Sequence, residues 1–235
     1  MNNPDISLVI PLYNEVDNIE PLGLSIIHAL QGRSYEVLFV DDGSTDGSTE
    51  KLKEWCARHP EFHAIRFQKN SGQTAAMDAG FKYARGAYVV SMDADLQNDP
   101  ADIPKLLEKL NNYDMVCGWR QKRNDPWIKR ISSKVANYIR NRLSWEDIKD
   151  TGCSLKVYRR ECLRHIKLYN GMHRFLPTLF KMEGFTVTEI VVNHYPRKFG
   201  KSKYGISNRA IRAFIDLLVV RWMKKRKLNY EVIKK

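Results

Sequence analysis

The residues whose types and spacing carry most chemistry are Asp93 and Asp95, in Met92-Asp93-Ala94-Asp95-Leu96-Gln97-Asn98-Asp99-Pro100. They follow Ala87-Tyr88-Val89-Val90-Ser91, a β-branched and aromatic run that predicts a buried strand. Successive side chains on a strand point to opposite faces, so an Asp-x-Asp pair at its carboxyl end projects one way. Two carboxylates held together repel unless a cation lies between them. Hard divalent ions such as Mg²⁺ or Mn²⁺ prefer oxygen ligands of this kind. Gln97 offers a neutral oxygen two residues on, and Pro100 suits the first turn of a helix. Standing alone, Asp-x-Asp is equally compatible with an acidic turn that caps the next helix through Asp99 or Asp102.

The elements that must position this pair follow from hydrophobic pattern. Ile6 to Pro11 reads as a first strand, and the chain then enters a helix over 16–30. Glu36–Val40 is a second strand, followed by Asp41-Asp42-Gly43-Ser44-Thr45-Asp46 and a helix to about Arg58. A strand near Phe62–Phe67, the segment Asn70-Ser71-Gly72-Gln73 and an Ala-rich helix through Tyr83 lead into the strand before Asp93. Strands alternating with helices predict an α/β fold, a doubly wound sheet with right-handed crossovers. Ligands of such sheets bind at the carboxyl ends of strands, where Tyr13/Glu15, Asp41/Asp42 and Asp93/Asp95 all fall. Neither G-x-x-x-x-G-K-[ST] nor G-x-G-x-x-G occurs, so a P-loop or dinucleotide fingerprint is unsupported.

The 235 residues suffice for one α/β domain with an extension, and 43% hydrophobic with 28% charged residues is a globular composition. Cys56, Cys117, Cys153 and Cys162 lack metal-ligand spacing, which argues against zinc and for reduced thiols. No signal-peptide pattern and no spanning-length apolar run are read. The net charge of +12 is uneven: residues 196–235 hold thirteen Lys/Arg against Asp216 and Glu231, while the remainder is nearly balanced. A basic tail of this kind suits anionic lipid headgroups or nucleic acid. The absence of any nucleic-acid motif argues against the latter.

The set Val9-Ile-Pro-Leu-Tyr-Asn-Glu15, Val40-Asp-Asp-Gly-Ser-Thr-Asp46, Asn70-x-Gly72 and Asp93-Ala-Asp95-Leu-Gln97 resembles the family 2 glycosyltransferases of GT-A fold. Asp150-Thr-Gly-Cys-Ser-Leu-Lys-Val-Tyr-Arg159 and Phe199-Gly-Lys-Ser-Lys-Tyr204 are similar to the polyprenyl-phosphate group, which includes dolichyl-phosphate mannose synthases and undecaprenyl-phosphate sugar transferases. The resemblance implies a GT-A domain over 1–203 and a basic amphipathic helix and tail over 204–235. It implies a nucleotide site of Pro11, Tyr13, Glu15, Asp41, Asp42 and Asp93 for a GDP- or UDP-sugar donor. It implies Mg²⁺ or Mn²⁺ on Asp93, Asp95 and Gln97, with Asp93, Asp95 and Arg120 as catalytic residues. Arg120, Lys129, Ser133, Arg197 and Lys203 would enclose the phosphate of a polyprenyl carrier. Relatives often carry Arg where this chain has Lys129, which keeps the charge and loses the bidentate fork.

A phosphate monoester is largely a dianion at neutral pH, so such an acceptor requires no strong general base. His173, in a segment that relatives place near the donor sugar, is read first as a structural histidine. Residues 205–227 predict a helix with Ile211, Phe214, Ile215, Leu218, Val219 and Trp222 at helical spacing, followed by further bases. That pattern predicts a peripheral element at an anionic membrane surface, at its cytoplasmic face, docking on lipid or on a membrane partner. A saccharide hydroxyl as acceptor, and a non-catalytic sugar-nucleotide-binding protein, are the competing readings.

Overall fold

The computed structural model describes residues 3–121, 148–197 and 206–228 together with Tyr230 and Ile233; side chains are described from Phe214 onward in the last stretch. Seven strands form one sheet: β1 (Ile6–Leu12), β2 (Tyr35–Asp41), β3 (Phe62–Arg66), β4 (Tyr88–Ser91), β5 (Met115–Trp119), β6 (Lys156–Arg159) and β7 (Val187–Val191). Their order is β3-β2-β1-β4-β6-β5-β7. All neighbours run parallel except β6, which is antiparallel to β4 and to β5. The sheet is mixed and flanked by helices, the GT-A architecture.

Every residue of β1 is buried, as a central strand covered on both faces requires. Alternate residues feed two cores. Ile6, Leu8 and Ile10 pack with Val37, Phe39 and the helices α1 (Ile19–Ala29) and α2 (Ser48–Arg58). Val9, Leu38 and Val40 pack on the other side with α3 (Gln73–Tyr83), where Gly80 lets the helix backbone approach Val9.

The predicted elements over 1–91 are present, with the first helix opening as a 3₁₀ turn at Val16–Asn18. Pro100 begins a 3₁₀ turn capped by Asp99, which accepts from Ala101 N at 3.0 Å, and α4 (Ile103–Lys109) follows. Two features differ from the pattern reading. The buried strand β5 carries no alternation and passes unnoticed in the sequence. The segment Thr151-Gly152-Cys153, which the sequence pattern suggests as the opening of a strand, is instead a turn at 151–152 that delivers Asp150 to Arg120, and β6 begins at Lys156. After α5 (Arg160–Leu163) and α6 (Leu176–Met182) comes α7 (Ile206–Arg226), which seats Leu217 and Val220 against Met172, Phe175 and Leu179. No disulfide joins any of the four cysteines.

Candidate active site

A cavity of about 350 Å³ opens at the carboxyl ends of β1, β2 and β4. Pro11, Tyr13, Glu15, Asp42, Asp93, Asp95, Gln97, Arg120 and Arg197 all line it. The clustering has a local cause. β1 and β2 pair in register through Leu12 and Asp41, so their ends open side by side. Gly43 (φ +73°) turns the β2 end, where a side chain would strike the Lys69 backbone. Asp42 then accepts from Ser71 N at 2.6 Å and Gly72 N at 2.9 Å, tying that loop to the start of α3.

Asp93 and Asp95 reach the cavity by a route other than strand alternation. β4 ends at Ser91, and the chain bends through Ala94–Leu96. Leu96 adopts φ +59° and Asn14, between Tyr13 and Glu15, φ +52°. Left-handed backbone costs a non-glycine residue roughly 1 kcal/mol, more readily tolerated by Asn than by Leu. Both departures from the preferred backbone fall at the cavity rim, as strain held for function does.

The electrostatics are unbalanced toward acid. Asp95 is 8% exposed. Burial and the neighbouring Asp93 push its carboxyl up to about 6, against the pull of Arg197 and the Gln97 N–H. Burial also raises Asp42, although the Ser71 and Gly72 N–H groups oppose it. Arg197 supplies the cavity's counter-charge, with Nη2 2.6 Å from Asp95 Oδ2 and Nη1 3.5 Å from Glu15 Oε1. Its segment is stitched across the site by Tyr195 N to Gln97 O (2.9 Å) and Asn193 N to Asp102 Oδ2 (2.6 Å). Arg120 is held by Asp150 through Nε–Oδ2 at 2.7 Å and Nη2–Oδ1 at 3.0 Å. Burial disfavours its charge, but the Asp150 bonds more than offset that and keep it protonated.

The donor set suits a hard divalent ion: two crowded carboxylates, one of them pushed toward protonation by its burial and by the charge of the other. Among the described residues no group of three or more His, Cys, Asp or Glu is arranged for a metal. An ion here would complete its shell with water and substrate phosphate, the usual habit of Mg²⁺.

Asp41 is placed differently from the sequence expectation. It lies on the opposite side of the strand end from Asp42 and is not among the lining residues. Its oxygens accept from Ser44 N (2.9 Å) and Thr49 Oγ1 (2.6 Å), which fixes the loop into α2. Lys129, Ser133 and Lys203 lie outside the described residues. The structure adds groups to which sequence reasoning gave no role. Gln73 donates to Asp93 Oδ1 at 2.7 Å, and Ser154 Oγ receives Asp93 N at 3.3 Å and Asn98 Nδ2 at 2.7 Å. Gln73 and Asp150 sit beside or inside the quoted motifs, which was their only signal. His173 Nδ1 lies 2.6 Å from Thr74 Oγ1, consistent with a positioned histidine.

The glycosyl transferase family 2 profile matches residues 7–167, the span that builds most of this cavity. The chain belongs to that family. This family 2 member is 39% identical over 224 residues to a dodecaprenyl-phosphate galacturonate synthase of Rhizobium johnstonii, covering 92% of the chain and 66% of the relative. It is 37% identical over 218 residues to an undecaprenyl-phosphate 4-deoxy-4-formamido-L-arabinose transferase of Edwardsiella ictaluri, covering 91% and 66%. The chain therefore spans about two thirds of the length of these relatives. In fold it resembles a mannosyltransferase from Pyrobaculum calidifontis solved with GDP-Man and Mn²⁺, with TM-score 0.66, 21% identity and coverage of 98% and 67%. It also resembles glucosyl-3-phosphoglycerate synthase from Mycobacterium tuberculosis solved with Mn²⁺, UDP-glucose and phosphoglyceric acid, with TM-score 0.71, 18% identity and coverage of 93% and 80%.

Proposed function

We propose that this family 2 member transfers a sugar, with inversion, from a nucleoside diphosphate sugar to a polyprenyl phosphate, with Mg²⁺ or Mn²⁺ at Asp93 and Asp95. The observation that carries the reading is the meeting of that carboxylate pair with two guanidinium groups, Arg120 and Arg197, in one cavity. The acids suit a metal–diphosphate, and guanidinium groups bind phosphate through charge-assisted hydrogen bonds. The names of the relatives keep the polyprenyl phosphate and change the sugar, so the acceptor is what they share.

In this reading Pro11 and Tyr13 form the wall for the base, while Glu15 and Asp42 accept hydrogen bonds from the nucleoside. Asp93, Asp95 and the Gln97 amide hold the ion, which when bound supplies Lewis-acid neutralisation of charge on the departing diphosphate. Arg120, locked by Asp150, presents a fixed positive charge to the incoming phosphate. Arg197 neutralises Asp95 and Glu15 and stands at the same mouth. Lys129, Ser133 and Lys203 belong to the same acceptor proposal.

The proposal extends to a membrane surface. In α7 the face that packs on the domain is Leu217 and Val220, whereas Phe214, Ile215, Leu218, Val219 and Trp222 form a separate exposed stripe, Trp222 being 62% exposed. Lys224, Lys225, Arg226 and Lys227 follow, and each base near an anionic leaflet contributes about 1 kcal/mol. No helix among the described residues is long and apolar enough to cross a membrane. Residues 1–203 then act as the transferase and 204–235 as its attachment, peripheral at the cytoplasmic face.

The test is nucleoside diphosphate release with Mn²⁺, with and without a polyprenyl phosphate in detergent. Release that rises with the lipid phosphate, with product carrying the sugar, supports the reading. Transfer to a saccharide hydroxyl with indifference to lipid phosphate overturns it. Flotation with anionic vesicles, before and after removing 221–235, tests the attachment; equal flotation of both removes the basic tail as anchor.

A further inference from the structure

Helix α3 begins between two acids of the cavity. Ser71 N and Gly72 N, just ahead of it, donate to Asp42. Gln73, its first residue, donates from its amide to Asp93 Oδ1 at 2.7 Å. An ionised carboxylate only accepts, so the amide presents its NH₂ and leaves the second Asp93 oxygen to face an ion. One turn of chain thus touches an acid of the nucleoside wall and an acid of the Asp93/Asp95 pair.

A distant segment holds that turn from outside. Thr74, 4% exposed, accepts through its hydroxyl from Gly171 N at 3.0 Å, and His173 Nδ1 lies 2.6 Å from the same oxygen. These partners are 97 and 99 positions away in the chain, yet both belong to one short turn. The turn rests in its own place on α7. Met172 and Phe175 pack with Leu179 against Leu217 and Val220, all five of them buried. Gly171, at φ +87°, lies so close to α7 that a side chain there would strike the Asp216 carboxylate. Contacts therefore run from α7 through 171–175 and Thr74 to Gln73 and Asp93.

We propose that Gln73 is a positioning residue for the acidic pair and that α7 governs how well it positions: the helix seats the 171–175 turn, the turn fixes Thr74, and Thr74 sets the Gln73 amide against Asp93. The inference rests on the reading of Asp93 and Asp95 as a divalent-ion site. Hydrogen-bond partners of a metal ligand orient it, and their loss commonly costs about 10–100-fold in metal affinity. Close-packed interiors transmit a displacement rather than absorb it, so a void beneath α7 is felt at Thr74. The helix that carries the exposed apolar stripe is then also a support of the catalytic end.

The test is Mn²⁺ titration with UDP or GDP saturating, followed by loss of the free-ion electron paramagnetic resonance signal. Gln73→Leu, nearly the same size, weakens Mn²⁺ binding about ten-fold or more. Thr74→Val and, separately, Leu217→Ala weaken it by about three-fold or more, the scale of a change transmitted through packed neighbours. Thr74→Ser keeps the hydroxyl and binds Mn²⁺ as the unaltered protein does. Leu30→Ala, a core void at the amino end of the sheet, lowers the melting temperature and leaves Mn²⁺ affinity where it was. Unchanged Mn²⁺ binding by Gln73→Leu overturns the positioning role. A weakened Gln73→Leu beside unchanged Thr74→Val and Leu217→Ala overturns the link to α7, as does a Leu30→Ala protein weakened as much as Leu217→Ala, since general loosening then explains both. If the unaltered protein binds no Mn²⁺ with either nucleotide, the wider reading falls and this one with it; every other adverse result sinks this one alone.

Discussion

The two ends of the same sheet treat buried acid in opposite ways. At the amino end Glu36, 2% exposed, accepts from Ser7 Oγ (2.6 Å), Arg85 N (2.8 Å) and Arg85 Nε (2.7 Å). Burial alone would raise its carboxyl, but these bonds win and hold it below the usual range. At the carboxyl end burial prevails: Asp42 is raised, and Asp95, crowded by Asp93, is pushed up to about 6 despite Arg197. One end is closed on itself and serves the fold. The other is left short of positive charge, the condition in which a cation from outside gains most.

The largest expected effect is at the open end. Asp95→Asn lowers metal-dependent transfer by about 10²–10³-fold, the scale for losing one group that stabilises transition-state charge. Its melting temperature stays level or rises, because a buried like-charge contact is removed; a large fall in melting temperature with parallel loss of helix signal would erase the contrast. Glu36→Gln does the reverse. It loses charged hydrogen bonds, discounted because Arg85 is half-exposed, for about 2 kcal/mol. That corresponds to a fall of roughly 4–8 °C in a domain of this size, with turnover per folded molecule unchanged.

A finer cut lies within one dipeptide. Asp42→Asn weakens nucleotide binding about ten-fold, one lost charged hydrogen bond, measured by calorimetry with UDP and GDP. Asp41→Asn leaves that affinity alone and costs about 1 kcal/mol of stability through the loop into α2. Equal effects of the two on affinity would show that both face the ligand.

The smallest effect is a pair of opposite pH slopes. Glu36 has a lowered carboxyl, so its contribution is present above the unfolded value near 4.5 and is lost as pH falls through the folded value. Asp95 has a raised carboxyl, so its contribution to the metal-free fold is full below about 4 and lost as pH rises through about 6. A cation requires the ionised form, so the melting-temperature gain from Mn²⁺ is larger at pH 7.5 than at pH 5.5. Asp95→Asn flattens that difference, and Glu36→Gln removes the acid-side loss.

Much of the open end was legible in the chain. Apolar runs ending in Tyr13-Asn-Glu15, Asp41-Asp42 and Asp93-Ala-Asp95 announced three strand ends, and adjacent parallel strands bring such ends together without further information. The same alternation says that neighbouring Asp41 and Asp42 face opposite ways, which separates a loop-fixing acid from a cavity acid. The bend at Leu96 was not legible, because a left-handed leucine is imposed by its surroundings and has no sequence preference behind it. β5 was also missed, since a strand buried on both faces shows no period.

The amino-acid sequence by itself determined the acids, their place at strand ends, and the apolar and basic character of the last helix, because each depends on residues within a few positions of one another. Tertiary structure alone decided which bases answer them. Arg197 meets Asp95 across 102 positions, and Arg120 meets Asp150 across 30. Charge pairing acts through space over a few ångströms, and only the folded sheet brings such distant segments that near.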